Sequence, residues 1–312
     1  MEKISYINLP NCLRLTNGEI EIIAATDVGP RILHYAFSGG ENVLGLHLDA
    51  KVETALGEFK PYGGHRLWIA PENMPISYAP DNSPCEYEFD ERRNSIRLVQ
   101  PVEIITKTQK EIIVTLDEKG SGVSINHKIT NCGDKEIELA AWALTIMRGG
   151  GEALIPNEPF APYGGETLLP VRNLAVWSYT DFSDSRWKFD KDFIRLKVDE
   201  NKPEPQKVGV LNKQGRAKYL VGDLEFTKQF NFIETAVYPD MNSNNELYTA
   251  GNFIEIESLA PLKKLAPGDS IEHLEYWKLK RIPNAEARTR VRAYKSYRLY
   301  FVRASALVAY FT

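Results

Sequence analysis

CLRLTNGEIEIIAA, residues 12–25, decides the class of fold. Two runs of alternating or β-branched residues flank Asn17-Gly18, a pair whose tolerance of positive φ suits the tight turn between antiparallel strands. The same grammar continues through SIRLVQPVEIITKT (95–108), EIIVTLDEKGSGVSINHKIT (111–130) and KEIELAAWALTIM (135–147). It resumes in VGVLNKQGRAKYLVG (208–222), LEFTKQFNFIETAVY (224–238), NFIEIESLAPL (252–262) and IEHLEYWKL (271–279). Gly, Asp, Asn and Lys separate these runs, as turns require. Before residue 281 no stretch sustains a 3.6-residue apolar period, and no strand-helix alternation points to a parallel sheet. The expectation is an all-β fold of many antiparallel strands.

A chain of 312 residues with 43% hydrophobic content fills a large core, which excludes disorder and a disulfide-stapled miniprotein. Its 38 Lys and Arg against 42 Asp and Glu leave a formal charge of −4, so no global basic field exists for nucleic acid. Cys12, Cys85 and Cys132 are odd in number and widely spaced, the pattern of reduced thiols rather than a disulfide or zinc framework. The opening MEKISYINLPNCLRL lacks a basic start followed by an apolar run, and no eighteen consecutive apolar residues occur. A soluble, cytoplasmic protein without a membrane-integral segment is expected.

Residues 281–312 are a different object. They hold seven Lys and Arg and one Glu, a net +6, so the first 280 residues sum to −10. The division read from the sequence is therefore a β domain over 1–280 and a basic tail over 281–312, compatible with a weakly amphipathic helix or a peripheral extension.

Two segments resist strand assignment: residues 57–84, rich in Pro and Gly, and RGGGEALIPNEPFAPYGG over 148–165. Long irregular loops in a compact domain either carry a site or cover the ends of a sandwich. Within the first lies YGGHRLWIAPEN (62–73), where Gly-Gly permits an unusual backbone and His65, Arg66, Trp68 and Glu72 follow at once. An imidazole that exchanges protons near neutrality, a guanidinium with several donors and a flat indole suit a polyhydroxylated ligand, and equally suit plain packing. In NFIEIESLAPL, Glu255 and Glu257 are two apart in a strand and share one face, either solvated or lining a cavity where mutual repulsion raises one pKa. ETAVYPDMNSNNELY (234–248) gathers Glu234, Asp240, Asn242, Asn244, Asn245 and Glu246, an oxygen-rich set fit for hydroxyls, a hard cation or a turn, without EF-hand spacing. No P-loop, GxGxxG, HExxH or GxSxG is present, and no cofactor is expected.

Taken in order, DVGPRILHYAF (27–37), GGHRLWIAPE (63–72), the run 123–156 and the run 238–279 resemble the galactose mutarotase-like superfamily, over roughly residues 10–280. The resemblance implies a β-supersandwich of two large antiparallel sheets with a sugar site on one sheet surface, and a small-molecule carbohydrate as partner. In the aldose 1-epimerases of that superfamily a late glutamate accepts the anomeric proton while a histidine protonates the ring oxygen, without a cofactor. Glu257 in IESLAPL resembles that glutamate. The usual mid-chain histidine has no counterpart, since its stretch holds Trp142, Thr145 and Met147. The resemblance then leaves His65 as a relocated acid, with Arg66, Trp68 and Glu72 shaping the site and Arg31 and Glu255 as further contacts. His34, His47, His127 and His273 read as packing or surface residues. Two alternatives stand beside the epimerase: a non-catalytic carbohydrate-binding protein of the same fold, and a metal-dependent enzyme using His65 with Glu255 and Glu257. Neither the sugar nor the oligomeric state is legible at this level.

Overall fold

The computed structural model describes residues 1–165 and 167–282. The expected basic tail therefore lies, apart from Arg281 and Ile282, outside the described residues. Two large antiparallel sheets account for nearly all regular structure, as the alternation predicts. One has eleven strands, running Glu2–Tyr6, Leu9–Thr16, Ile20–Ala25, Arg31–Phe37, His65–Ala70, Ile137–Arg148, Phe253–Leu259, Asn245–Thr249, Gln206–Val210 and Leu174–Val176, with Lys263–Leu265 added beside Ile137–Arg148. The other has ten: Glu86–Asp90, Ser95–Val99, Thr108–Leu116, Val123–Asn131, Ser270–Arg281, Leu224–Phe230, Arg216–Val221, Glu152–Pro156, Phe193–Lys197 and Trp187–Phe189.

The hairpin around Asn17-Gly18 forms, but with a wider loop than a two-residue turn, because pairing stops at Thr16 opposite Glu21. Asn17 explains the difference. Its Oδ1 accepts hydrogen bonds from the amides of Glu19 and Ile20, and its Nδ2 donates to the carbonyls of Asp117 and Gly120, so the side chain ties this loop to the other sheet. The 148–165 segment also differs from expectation. It contains the Glu152–Pro156 strand, whose Ala153, Leu154 and Ile155 are all buried.

Strand alternation sorts each residue of the eleven-stranded sheet to one of two faces. Leu67, Ala141, Ile254 and Ile256 enter the main core together with Ile112, Val114, Ile125 and Trp277 of the ten-stranded sheet. Trp68, Ala70, Ala140, Trp142, Leu144 and Leu259 form a separate apolar cluster on the outer face, joined there by Phe59. A single side-chain layer between sheets and a second beneath the covering loops thus sandwich one sheet on both sides.

The intersheet core is not purely apolar. Glu275 and Lys228 are fully buried in it, 2.7 Å apart, and the ammonium also donates to the carbonyls of Ala143 and Ile256 and to Thr145 Oγ1. Three imidazoles complete the network. His127 Nδ1 donates to the His273 carbonyl, which leaves its Nε2 to accept from His65 Nε2 at 2.6 Å; His65 Nδ1 in turn accepts from Thr145. His273 Nε2 reaches Ser258, whose hydroxyl donates to Glu275, and Trp277 Nε1 donates to the other Glu275 oxygen. The cluster holds one anion, one cation and three neutral rings.

Burial pushes His65 well below the usual imidazole range, lowers His127, and takes His273 to about 3. Unfolded imidazoles bind a proton below about pH 6.5 that the folded ones refuse. Stability from these groups is therefore complete above that pH and declines as pH falls, by about 1.4 kcal/mol per unit for each histidine until its folded pKa is reached. The urea midpoint is expected to drop between pH 7.5 and 5.5; a midpoint that stays level contradicts the account. Lys228→Met, which strands Glu275, should cost about 3–5 kcal/mol in the same assay, and adding Glu275→Leu should recover much of it.

Candidate functional site

Three neighbouring strands fix the site through their register. Leu144 stands opposite Arg66 on one side and opposite Glu257 on the other, while Thr145 stands opposite His65 and Ile256. Directly opposed residues share a face. Arg66, Trp68, Trp142, Glu255 and Glu257 therefore project from the outer face, and His65 projects into the intersheet core. The expected His65–Glu257 acid–base pair does not assemble, because one residue of parity separates His65 from Arg66. The ligand set of His65 with Glu255 and Glu257 fails for the same reason.

Gly63 and Gly64 place this strand. Both have positive φ, and a Cβ on Gly64 would stand 2.1 Å from the Ile32 carbonyl oxygen, so the close approach to the Arg31–Phe37 strand admits only glycine. Arg31 itself is fully buried, with both terminal nitrogens engaged. It forms a 2.5 Å ion pair with Asp81, donates to the carbonyls of Lys60 and Pro61 and stacks on Tyr62, clamping the chain on both sides of the His65–Ala70 strand, which runs through the 57–84 segment where no strand was expected. It acts as an anchor for the loop that borders the site.

Glu257 is held asymmetrically. Its Oε2 accepts from Trp142 Nε1 at 2.8 Å and from Lys207 Nζ at 3.1 Å, whereas its buried Oε1 has no hydrogen-bond partner among the described residues. Lys207 also pairs with Glu246 at 2.8 Å and lies between the rings of Trp142 and Trp177, 4.8 and 4.7 Å from their centroids. Burial favours the neutral amine, but Glu246 and Glu257 outweigh it and hold Lys207 well above the ordinary lysine range. Burial drives the Glu246 carboxyl well above its own range.

Glu255 is partly buried two residues before Glu257, and burial followed by the charge of Glu257 raises it to about 7. Arg66 and Lys207 oppose that rise. Arg66 is buried with its guanidinium 4.0 Å from the Trp68 ring centroid and 5.0 Å from that of Phe59, and its Nε and Nη1 find no hydrogen-bond partner among the described residues. Burial lowers it to about 10. Glu72 is exposed in the chain that follows the His65–Ala70 strand, accepts from the Tyr78 hydroxyl at 2.5 Å, and its charge reaches Lys207, Glu255 and Tyr248. Tyr78 packs on Trp68, which brings the loop over the face.

Several participants were not singled out by sequence reasoning. Lys207, Trp177, Tyr179 and Tyr248 reach the face from the Gln206–Val210 and Asn245–Thr249 strands and from the chain after Val176. No local pattern marks them. The oxygen-rich 234–248 run divides: Asn244, Asn245 and Asn242 are consumed by backbone groups, Glu234 is exposed, and Asp240 and Glu246 take part in the field around Lys207. His47 also reaches this side. Its ring meets Phe253 edge-on at 4.3 Å, and burial and the nearby Arg66 charge lower its pKa. Among the described residues, the set with metal-ligand spacing is His65, His127 and Glu275 in the core, where the Lys228 ammonium already occupies the carboxylate.

The architecture matches solved structures over most of the chain. A galactose mutarotase-like protein from Lactobacillus casei superimposes with a TM-score of 0.56 at 10% identity, over 86% of this chain and 100% of that one. The fold is galactose mutarotase-like. A protein of Escherichia coli K12 assigned provisionally as an aldose 1-epimerase gives a TM-score of 0.54 at 10% identity, covering 87% of this chain and 99% of that one. A TPR-domain containing protein from Parabacteroides distasonis gives 0.61 at 14% identity over 92% of this chain, which spans 50% of that protein. No protein-family model and no curated protein matches the sequence. Among the described residues no helix is long and apolar enough to cross a membrane.

In this mutarotase-like frame Glu255 is the group poised near neutrality. A carbon-13 carboxyl titration is expected to place it at about 7, and Arg66→Met should move the midpoint upward, since the guanidinium stabilises the ionised form. A midpoint in the ordinary glutamate range, or a downward shift, contradicts the arrangement.

Proposed function

We propose that the outer face of the eleven-stranded sheet binds an aldose or aldose derivative and interconverts its anomers by acid–base catalysis, with Glu257 as base and Glu255 as acid. The observation that carries this reading is the one-sided hold on Glu257: two donors fix Oε2, and the buried Oε1 has no partner, the unmade bond that a sugar hydroxyl would supply. The mutarotase-like fold supports a carbohydrate as the ligand.

The chemistry needs a base at the anomeric hydroxyl and an acid at the ring oxygen. Glu257 accepts the hydroxyl proton as the bond between the anomeric carbon and the ring oxygen breaks, and Glu255 gives its proton to that oxygen. Reclosure on the other face of the carbonyl returns both protons, so nothing is consumed. A carboxyl titrating near 7 is matched to this task at neutral pH, the role first assigned to His65. Trp68 floors the face beneath the Arg66 guanidinium, Arg66 has unused donors for the ligand's hydroxyls, and Glu72 stands at the rim.

Saturation-transfer NMR with a panel of free and phosphorylated aldoses reads contact and anomer exchange together. Exchange is expected, falling by about 10²-fold or more in Glu257→Gln and in Glu255→Gln. It should also decline above about pH 7 as Glu255 loses its proton, and Glu255→Gln should flatten that alkaline limb. Contact without exchange replaces the enzyme with a carbohydrate-binding protein. Absence of contact across the panel rejects both.

A further inference from the structure

The two sides of the sandwich are built differently. At one side the sheets end in Glu2–Tyr6 and Glu86–Asp90, where Glu2, Lys3, Glu86, Glu88 and Asp90 are exposed. Charges of this kind keep a strand edge from pairing with another chain. At the other side the sheets end in Leu174–Val176 and Trp187–Phe189, each three residues long, with no strand on their outer flank among the described residues.

The Trp187–Phe189 edge carries one exposed charge, Lys188, and the Leu174–Val176 edge carries none, so apolar side chains dominate here. Leu174 and Val176 are 41% and 45% exposed, and Phe182 and Phe189 44% and 48%. Phe182 packs on Trp187 and Phe189, and Gln206 Oε1 accepts from both the Asp181 amide and Trp187 Nε1, so the two edges and the chain between them form one surface. Leu169 and Val171, in the chain that leads into the Leu174–Val176 edge, are 82% and 58% exposed. Taking ~150–250 Å² for each large apolar side chain when free, these six expose on the order of 600 Å², most of the roughly 800 Å² per partner in a standard interface.

We propose that this open side is the contact between two copies of the chain, centred on antiparallel pairing of Leu174–Val176 with its own counterpart. An antiparallel pair of identical edges carries its own twofold axis, so each surface is its own complement and the association closes at two. Leu174, Ala175 and Val176 bring no charge to that axis, whereas a twofold at Glu86–Asp90 would oppose like carboxylates. Pairing satisfies the outward backbone groups of the edge while removing the apolar surface from water.

Sedimentation equilibrium of the full chain at micromolar concentration is expected to show a species of twice 35.4 kDa. Val176→Lys sets an unpaired ammonium against the apolar Leu174 of the second copy and should weaken the dimer at least about 100-fold, since a charge taken out of water without a partner costs several kcal/mol. Phe189→Lys, on the other edge, should weaken it as well, and Glu88→Lys on the guarded side should leave the constant unchanged. A monomer at all concentrations overturns the proposal. So does a dimer indifferent to both Val176→Lys and Phe189→Lys while the variants keep the wild-type melting temperature, or one lost equally in Glu88→Lys.

Discussion

Everything in this molecule depends on the antiparallel register that binds Ile137–Arg148 to His65–Ala70 on one side and to Phe253–Leu259 on the other. A strand has a side-chain period of two, so fixing one opposed pair fixes the facing of every residue in all three strands. Thr145 brings His65 and Ile256 into the core, and Leu144 brings Arg66 and Glu257 to the outer face. The apolar demand of the core sets this choice: Leu67, Ala141, Ile254 and Ile256 must meet the ten-stranded sheet. The polar residues between them are then assigned without freedom.

That assignment creates two ionic clusters on opposite faces of one sheet, and their chemistry differs in how far it is satisfied. Inside, Lys228, Glu275, three imidazoles, Thr145 and Ser258 use their donors and acceptors on one another. A closed network of this kind rigidifies a core and leaves nothing for a ligand. Outside, Lys207 is closed by Glu246 and Glu257, but Glu257 Oε1 and two nitrogens of Arg66 remain buried without partners. Unmade hydrogen bonds in a desolvated place are expensive, and a polyhydroxylated ligand is the type of molecule that supplies them.

The loops complete what the sheets begin. The chain after the His65–Ala70 strand is tied down by the Arg31–Asp81 pair, and it carries Tyr78 and Glu72 to the face that Trp68 and Trp142 floor. The chain after the Leu174–Val176 edge contributes Trp177 and Tyr179 from the opposite direction. The same edge bounds the apolar side of the sandwich, so the roof of the candidate site and the surface assigned to a second copy share one segment.

Sequence by itself determined the class of fold, the reduced thiols and the shared face of Glu255 and Glu257, because alternation, turn chemistry and i, i+2 geometry act within a few residues. Asn17-Gly18 marked a hairpin, and Gly63-Gly64 marked a backbone that no other residue could adopt. Cys12, Cys85 and Cys132 are all free thiols, two of them buried. Tertiary structure alone decided which face looks outward and who meets there. His65 and Arg66 are adjacent and both suit a sugar site, yet parity relative to a distant core sends one inward and keeps the other out. Lys207 finds Glu257 across 50 positions of sequence, and His65 finds His127 across 62. Such meetings arise from strand order, which is settled by the summed burial of two whole sheets and leaves no trace in any short window of residues.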